Sequence, residues 1–248
     1  MASFFGRKTE LCQDLCKYFA SFDLIISYLF DPDGIFLENL KQAGAKKVIN
    51  GPWKPNESSH AILQLAKPLS ELGAEIKDIT IRIYPTPADL EAATSHLPVL
   101  RNKEKCIVIH PGSGAERKNW PIESWAILSE RLLNAGWKLI FTGGEADHKK
   151  LDYLSDKLAK TEKIFFLKNQ PLPVVAGALK LAGNYLGHDT GISHLAAGAG
   201  CKSILFFGPT NPEVWAPPNT GTRILRPASG NLHDLDIEEV WSSVLQWY

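Results

Sequence analysis

Residues 187–200 combine an acidic turn with a run of small side chains, in the sequence GHDTGISHLAAGAG. Short apolar runs flank this stretch, so the pattern predicts a strand, a tight turn, a helix and a second strand. Thr190 or Asp189 is placed to cap the helix, and Gly191 lets a ligand approach its first amides. Because free N–H groups and the helix dipole favour negative charge at this point, the stretch predicts a phosphate-binding turn.

Two side chains of this stretch each allow two interpretations. Asp189 beside a phosphate would repel it, so its carboxylate is expected to orient backbone groups or to hold a sugar hydroxyl. His194 lies one turn into the predicted helix. It either faces the ligand or packs in the core, which is the commoner place for a lone histidine in an Ala-rich helix.

The loop at residues 110–120 follows another apolar run. Ser113 and Gly114 are small residues that let a ligand approach the backbone. Lys118 is able to neutralise a diphosphate, although Arg117 and Lys118 are equally typical of a solvated charge pair. This loop is therefore a second candidate contact for phosphate groups.

A third loop, at residues 142–147, has the sequence TGGEAD and joins a predicted strand to a predicted helix. A carboxylate of this loop, from Glu145 or Asp147, is able to accept hydrogen bonds from ribose hydroxyls. Both carboxylates are equally typical of a helix first turn, where the dipole favours negative charge. A fourth loop rich in Gly and Pro lies at residues 208–215.

Short apolar runs alternate along the chain with helical periodicity, which predicts an α/β fold with a parallel sheet covered on both faces. Strands are predicted at 23–28, 47–49, 106–109, 137–141, 163–166, 184–186, 203–207 and 223–225. Helices are predicted at 35–43, 61–72, 88–95, 122–134, 147–160, 172–181 and 237–247, besides the one after Thr190. Since ligands bind beyond the carboxyl ends of parallel strands, the four loops are expected to form one site.

A change of composition predicts where the chain divides. Prolines punctuate residues 84–100, and the polar run RNKEK follows at 101–105. The boundary is expected near residues 98–104. It separates a smaller α/β domain at 1–100 from a more regular one at 104–248.

The composition argues against several kinds of protein. Lys and Arg together number 27, as do Asp and Glu, so no nucleic-acid partner is predicted. The 4 cysteines form no disulfide scaffold, and Cys12 and Cys16 lack a matching second pair, so no metal site is expected. No apolar run reaches the roughly 20 residues that span a bilayer, and no signal-peptide pattern is present, so a cytoplasmic location is expected.

Five motifs occur in an order that resembles glycosyltransferase family 9, the ADP-heptose:lipopolysaccharide heptosyltransferases. They are HPGSG at 110–114, KNWP at 118–121, TGGE at 142–145, GHDTGISHLAA at 187–197 and FGPT at 207–210. The resemblance covers residues 104–248 and implies a GT-B-like fold of two Rossmann-like parallel-sheet domains, the N-terminal one incomplete.

The resemblance also implies a reaction. A sugar would pass, with inversion and without a metal or other cofactor, from a nucleotide diphosphate sugar to a lipopolysaccharide or related glycan or glycolipid acceptor. ADP-heptose is the expected donor, and such an acceptor suggests peripheral contact with the inner membrane face. The implied donor-binding residues are Lys118, Thr190 and Gly191 for the diphosphate, Glu145 and less favourably Asp147 for the ribose, and Asp189 and His194 near the donor sugar and phosphates. Ser113 and Gly114 complete the implied donor site.

The first hundred residues depart from the family pattern. Family members open with a strand that runs into a Gly-Asp loop, whose Asp is taken as the base for the acceptor hydroxyl, and no such opening is found here. Asp31 and Asp33 are substitutes by position only, in a DPDG segment that is also typical of a turn. Two other functions stay open: a nucleotide-sugar-binding protein without transferase activity, and a GT-B-like nucleotide-sugar epimerase or hydrolase.

Overall fold

The computed structural model describes residues 2–7, 10–102, 105–158 and 160–246. The chain forms two compact units, here called unit 1 (residues 1–79) and unit 2 (residues 80–248). None of the helices in the described ranges is long and apolar enough to cross a membrane.

In its described residues, unit 1 contains a small parallel sheet and three α-helices. Its elements are α1 (Gln13–Ala20), β1 (Ile25–Ser27), α2 (Ile35–Gln42), β2 (Val48–Asn50) and α3 (Ala61–Ala66). Phe4, Phe19 and Phe36 meet in an aromatic core with ring centroids 5.0 to 6.4 Å apart. The helix predicted at 61–72 is shorter than expected, because the segment Lys67–Leu72 continues as a 3-10 helix with Pro68 in its first turn.

Unit 2 is built on a parallel sheet that has six strands in the described residues, in the order β5-β4-β3-β6-β7-β8. The strands are β3 (Cys106–His110), β4 (Lys138–Gly143), β5 (Ile164–Lys168), β6 (Asn184–His188), β7 (Lys202–Phe206) and β8 (Thr222–Leu225). The helices are α4 (Pro87–His96), α5 (Ile122–Asn134), α6 (His148–Lys157), α7 (Leu172–Ala182), α8 (Gly191–Ala199), α9 (Pro212–Trp215) and α10 (Ile237–Leu245). The predicted α/β class with parallel sheets is confirmed.

Two hydrophobic layers cover the two faces of this sheet. Ile107 and Ile109 point into the layer that contains residues of α5, α6 and α10. Cys106 and Val108 point into the opposite layer, which contains residues of α4, α7 and α8. This alternation explains why central strands read as continuous apolar runs in the sequence.

The boundary between the two compact units lies some twenty residues before the boundary that the composition predicted. Ile83 N–H donates to the carbonyl of Gly198 over 2.8 Å, and the Asn219 side chain donates to the carbonyl of Ile81 over 2.9 Å. These bonds tie the Pro-rich segment to unit 2. Three predicted stretches include residues outside the described ranges: Lys103 and Glu104 in the linker, Ala159 in the helix predicted at 147–160 and Trp247 in the helix predicted at 237–247.

The strand order places a switch point between β3 and β6. From β3 the chain builds outward through β4 to β5, and then returns to β6 on the other side of β3. Helices that follow neighbouring strands then lie on opposite faces, which opens a crevice at the carboxyl ends of the strands. The loops after β3 and β6, predicted to hold phosphate, meet at this crevice.

The contact between α4 and α7 yields a test of the fold of unit 2. A Cβ at Gly177 would lie 2.6 Å from the carbonyl oxygen of Asp89. Gly177→Ala is therefore expected to lower the free energy of unfolding by about 1–3 kcal/mol, measured by chemical denaturation. Gly144→Ala is the matched control, because a Cβ there meets nothing within 4 Å and φ is −94°. Equal stability of Gly177→Ala and wild type would contradict this packing.

Candidate functional site

A cavity of about 220 Å³ opens at the carboxyl ends of β3 and β4 in unit 2. Its polar side is formed by the strand ends and the turn that follows β4, including His110, Thr142 and Asp147. Its apolar side is formed by Leu172 and Val175 of α7 and by Ile192 of α8. A cavity with one apolar wall and a few converging polar groups is typical of a small-molecule site.

Asp189 is the centre of a charged cluster beside this cavity. Its Oδ2 accepts hydrogen bonds from Lys118 Nζ over 2.6 Å and from Thr210 Oγ1 over 2.7 Å. The side chains of Lys118 and Asp189 are 23% and 10% exposed, so the ion pair is largely shielded from water. Three of the four predicted loops are thereby joined at one carboxylate.

The amides at the N-terminus of α8 are not capped by the side chain of the N-cap residue. Thr190 is the N-cap residue, but its hydroxyl makes no capping hydrogen bond. The capping role predicted for Thr190 is therefore wrong. The first amides of a helix have no partners within the helix, and Gly191 is exposed, so this end of α8 is available to an anion.

His110 and Asp147 form a buried pair on the floor of the cavity. Asp147 Oδ2 lies 3.2 Å from His110 Nε2 and accepts a hydrogen bond from the Gly144 amide over 2.9 Å. Burial raises the pKa of Asp147, but the hydrogen bond and charge of His110 and the Gly144 amide outweigh it. The net pKa lies below the ordinary value.

Glycines make the room that this pair requires. A Cβ at Gly112 would overlap the Asp147 carboxylate, and a Cβ at Gly143 would lie 2.7 Å from the Asp147 Cβ. Gly112 and Gly143 therefore serve the packing of Asp147. The sequence suggested instead that glycines such as Gly114 expose the backbone to a ligand.

His188 ties the loop after β3 to the end of β6. The Trp120 amide donates to His188 Nε2 over 2.8 Å, so Nδ1 carries the ring proton and donates to the Gly112 carbonyl over 3.2 Å. The ring is fully buried, and burial lowers the pKa of His188 to about 3. A neutral imidazole thus fixes both ends of the segment that carries Ser113, Gly114 and Lys118.

The other predicted donor-binding residues lie at varying distances from these clusters. Ser113 donates its hydroxyl to the Ala115 carbonyl over 2.8 Å, which shapes the loop, and Gly114 beside it is exposed. Glu145 is exposed next to the cavity residue Gly144. His194 is half-buried on α8 and lines a second, apolar cavity of about 330 Å³.

Asp31 and Asp33 have structural partners in unit 1. Asp31 accepts hydrogen bonds from the amides of Phe36 and Leu37, at 3.1 and 2.9 Å, and so caps α2. Asp33 is exposed and lies 3.6 Å from Arg7 in an ion pair. Among the described residues, no group of three or more His, Cys, Asp or Glu side chains has the geometry to hold a metal ion.

Sequence reasoning missed His110, His188 and Thr210 as parts of the site. Each follows or ends a strand that the sequence predicted, and each adjoins a Gly or Pro. That position was the available signal, but the contacts of these residues depend on which strands are neighbours in the sheet.

Comparison with known proteins identifies relatives of the chain. The family model described as glycosyltransferase family 9 (heptosyltransferase) matches residues 56–244. Lipopolysaccharide heptosyltransferase 1 of Pseudomonas aeruginosa is 33% identical over 96 residues. That match spans 38% of this chain but only 26% of the relative's own length.

Solved structures of this family share the fold. A glycosyltransferase of family 9 from Veillonella parvula superposes with a TM-score of 0.79 at 16% identity, covering 94% of this chain and 76% of that one. The E. coli heptosyltransferase WaaC with ADP gives a TM-score of 0.70 at 18% identity, covering 94% of this chain and 77% of that one. The expected GT-B-like fold is therefore confirmed.

The buried histidine of β6 generates a prediction about stability and pH. Because the pKa of His188 is about 3 in the folded chain, against an ordinary value of 6.5, the unfolded state binds the extra proton between these values. Stability from this group is full above pH 6.5 and is lost as the pH falls. The expected loss from this group is about 1.4 kcal/mol per pH unit between roughly pH 6 and 4.

The measurement is the free energy of unfolding, by chemical denaturation, at several pH values. His188→Gln is expected to be less stable than wild type at pH 7.5, since it cannot bridge Trp120 and Gly112 equally well. Its stability should also fall less steeply below pH 6. Parallel pH profiles of variant and wild type would contradict a neutral, buried His188.

Proposed function

This chain belongs to glycosyltransferase family 9, the heptosyltransferases, and on that premise we propose that it transfers a sugar from a nucleotide diphosphate donor to a lipopolysaccharide or related surface glycan. Unit 2 would bind the donor, and unit 1 would be the acceptor-side unit. The observation that carries the proposal is the Lys118–Asp189–Thr210 cluster beside the uncapped N-terminus of α8.

The diphosphate would lie between Lys118 and the first amides of α8. Lys118 supplies a mobile positive charge and the amides near Gly191 supply fixed donors, while Thr190 adds a hydroxyl. The Ser113–Gly114 turn would border the same phosphates. Asp189 would keep Lys118 in place until the donor arrives, and would then face the sugar together with His194.

The nucleoside would occupy the cavity at the ends of β3 and β4. Its apolar wall, Leu172 and Ile192, suits the face of a base, and the exposed Glu145 is placed near the rim to accept ribose hydroxyls. ADP-heptose is the proposed donor. The structure of WaaC with ADP supports this choice of nucleotide, because WaaC is a heptosyltransferase that shares the fold.

The reaction would be one displacement at the anomeric carbon. The acceptor oxygen forms the new bond while the bond to the diphosphate breaks, which inverts the configuration. Lys118 and the dipole of α8 stabilise the leaving diphosphate, so no metal ion is required for that step. The proton of the acceptor hydroxyl would go to a base in unit 1, for which Asp31 and Asp33 are candidates by position.

One observation favours a second function, a nucleotide-sugar-binding protein without transferase activity. The Asp31 carboxylate caps α2, and Asp33 is paired with Arg7, so each candidate base already has a structural partner. The activity experiment below distinguishes the two functions. We further propose a cytoplasmic location with peripheral contact at the inner membrane face, where the acceptor of such a reaction would be found.

Donor binding tests the site directly. Lys118→Ala is expected to weaken binding of ADP-glucose or ADP-heptose, measured by calorimetry, by roughly tenfold to a hundredfold, because a charge-assisted hydrogen bond is lost. Lys46→Ala is the matched control: Lys46 Nζ lies the same 2.6 Å from Asp23, but in an exposed pair of unit 1. An unchanged dissociation constant for Lys118→Ala would contradict the placement of the donor diphosphate at Lys118.

Activity is tested with ADP-heptose and a heptose-deficient lipopolysaccharide extract. The expected result is release of ADP together with a mass increase of the acceptor, both undiminished by a chelator. Binding without product would favour the binding-protein function. Release of ADP without acceptor, or conversion of the sugar alone, would indicate a hydrolase or an epimerase instead.

A further inference from the structure

The N-cap residue of α8 does not cap its helix, and the contacts of its side chain show why. A threonine at this position ordinarily accepts a hydrogen bond from the second or third amide of the helix. Thr190 makes no such bond. Its Oγ1 lies instead 3.5 Å from His110 Nδ1, at the end of β3. The hydroxyl is therefore directed toward the strand ends rather than toward the amides of α8.

The second partner of this hydroxyl is Tyr185 on β6. The Tyr185 side chain is fully buried, and its hydroxyl is hydrogen-bonded to the hydroxyl of Thr190. His110 Nδ1, at 3.5 Å, is at the outer limit of hydrogen-bonding distance and holds the Thr190 hydroxyl only weakly. Tyr185 is thus the partner that keeps Thr190 turned toward the sheet.

A third hydroxyl completes this network and fixes the direction of its hydrogen bonds. Tyr185 Oη lies 3.1 Å from Ser193 Oγ, which donates its hydrogen to the backbone carbonyl of His188. Because Ser193 has no second hydrogen, Tyr185 must donate to Ser193 Oγ. Burial raises the pKa of Tyr185, so the phenol keeps the hydrogen for this bond. The Tyr185 oxygen is then left to accept the hydrogen of Thr190.

Gly187 provides the space in which the Tyr185 hydroxyl lies. The two residues are two positions apart on β6 and therefore face the same side of the sheet. A Cβ at Gly187 would overlap the Tyr185 hydroxyl. The glycine that opens the GHDTG segment is thus required for Tyr185 to reach Thr190.

Without the Tyr185 hydroxyl, the Thr190 side chain would be free to turn. The Thr190 backbone is extended, with φ −147° and ψ 166°, and an extended N-cap residue is the kind whose side chain caps a helix. A rotation about χ1 would bring Oγ1 toward the amides of Ile192 and Ser193. A hydroxyl oxygen and a phosphate oxygen both accept from such amides, so a capped helix and a bound anion compete for the same hydrogens.

We propose that Tyr185 keeps the donor site open: by holding the Thr190 hydroxyl against β6, it prevents Thr190 from capping α8 and so leaves the first amides of the helix to the donor diphosphate. The proposal rests on the proposed function in placing the diphosphate at α8. Tyr185 is a positioning residue in this scheme, because it is buried below the turn and acts on the ligand through Thr190.

Calorimetry with ADP-glucose tests this role. Tyr185→Phe keeps the buried ring and removes only the hydroxyl that holds Thr190. Binding of ADP-glucose should weaken by roughly threefold to tenfold, the range expected when a bound anion must displace an N-cap hydrogen bond. Ser193→Ala is the matched control, because it removes another hydroxyl of the network and leaves the contact between Tyr185 and Thr190 in place. Its affinity should equal that of wild type.

Thr190→Val separates positioning from a general loosening of the core, because valine has no oxygen with which to cap α8. By itself, this variant reports any direct contact between the Thr190 hydroxyl and a phosphate. Adding Tyr185→Phe to Thr190→Val should cause no further loss of affinity. Thr190→Ser keeps a hydroxyl, so the sensitivity to Tyr185→Phe should be retained. Chemical denaturation of every variant checks that each one is folded.

The wild-type protein supplies a measurement that needs no variant. Hydrogen exchange of the Gly191 and Ile192 amides should be fast in the free protein and slower when ADP-glucose is bound. Amides that are already protected in the free protein would indicate a capped helix. That result would contradict the proposal even if Tyr185→Phe fails to fold.

The outcomes separate this proposal from the proposed function. Binding of ADP-glucose that is weakened by Lys118→Ala but unchanged by Tyr185→Phe would overturn the role of Tyr185 and leave the donor site intact. The same loss from Tyr185→Phe in wild type and in Thr190→Val would overturn that role as well. No binding of any ADP-sugar by wild type would overturn the donor site and, with it, the role of Tyr185. A loss that requires the hydroxyl of Thr190 would support both.

Discussion

The loop that carries Lys118 depends on one buried imidazole. His188 accepts from the Trp120 amide and donates to the Gly112 carbonyl, and so it clamps both ends of the loop that carries Lys118. These two hydrogen bonds are favourable because a fully buried ring that stays neutral satisfies one donor and one acceptor without bringing a charge into the core. The positions of Lys118 and of the Ser113–Gly114 turn follow from this clamp.

The charged cluster of Lys118, Asp189 and Thr210 is suited to an exchange of hydrogen-bond partners. Asp189 takes hydrogen bonds from Lys118 and Thr210 in surroundings that are mostly dry, where an unpaired Lys would be costly. The proposed diphosphate would offer Lys118 a second anionic partner at the same place, beside the first amides of α8. Little reorganisation would then be needed on binding, which is the condition for strong electrostatic stabilisation of a leaving group.

The sequence predicted the elements of unit 2 well because its strands are buried on both faces and its helices have clear ends. The helix predicted at 122–134 coincides with α5. It ends just before Gly136, whose backbone has the left-handed conformation. The sequence also predicted that loops would meet at one sheet edge, and three of them meet at Asp189. The family expected from the motifs is confirmed. It did not reveal that Asp147 is buried against His110, because that pairing depends on β3 and β4 being neighbours and on two glycines that leave room for a carboxylate. The earlier division of the chain, after residue 79, was likewise hidden, because it depends on hydrogen bonds between segments more than a hundred residues apart.

His110 and His188 show why residue type alone did not assign these roles. Both end strands that are adjacent in the sheet, and both rings are buried. His188 accepts from a backbone amide on one nitrogen and donates to a carbonyl on the other, and burial keeps the ring neutral. His110 meets a carboxylate on one nitrogen and a hydroxyl on the other, and it lines a cavity open to solvent and ligand. The same side chain therefore bridges backbone groups on β6 and pairs with a carboxylate on β3, and the difference comes from Asp147 in the loop after β4.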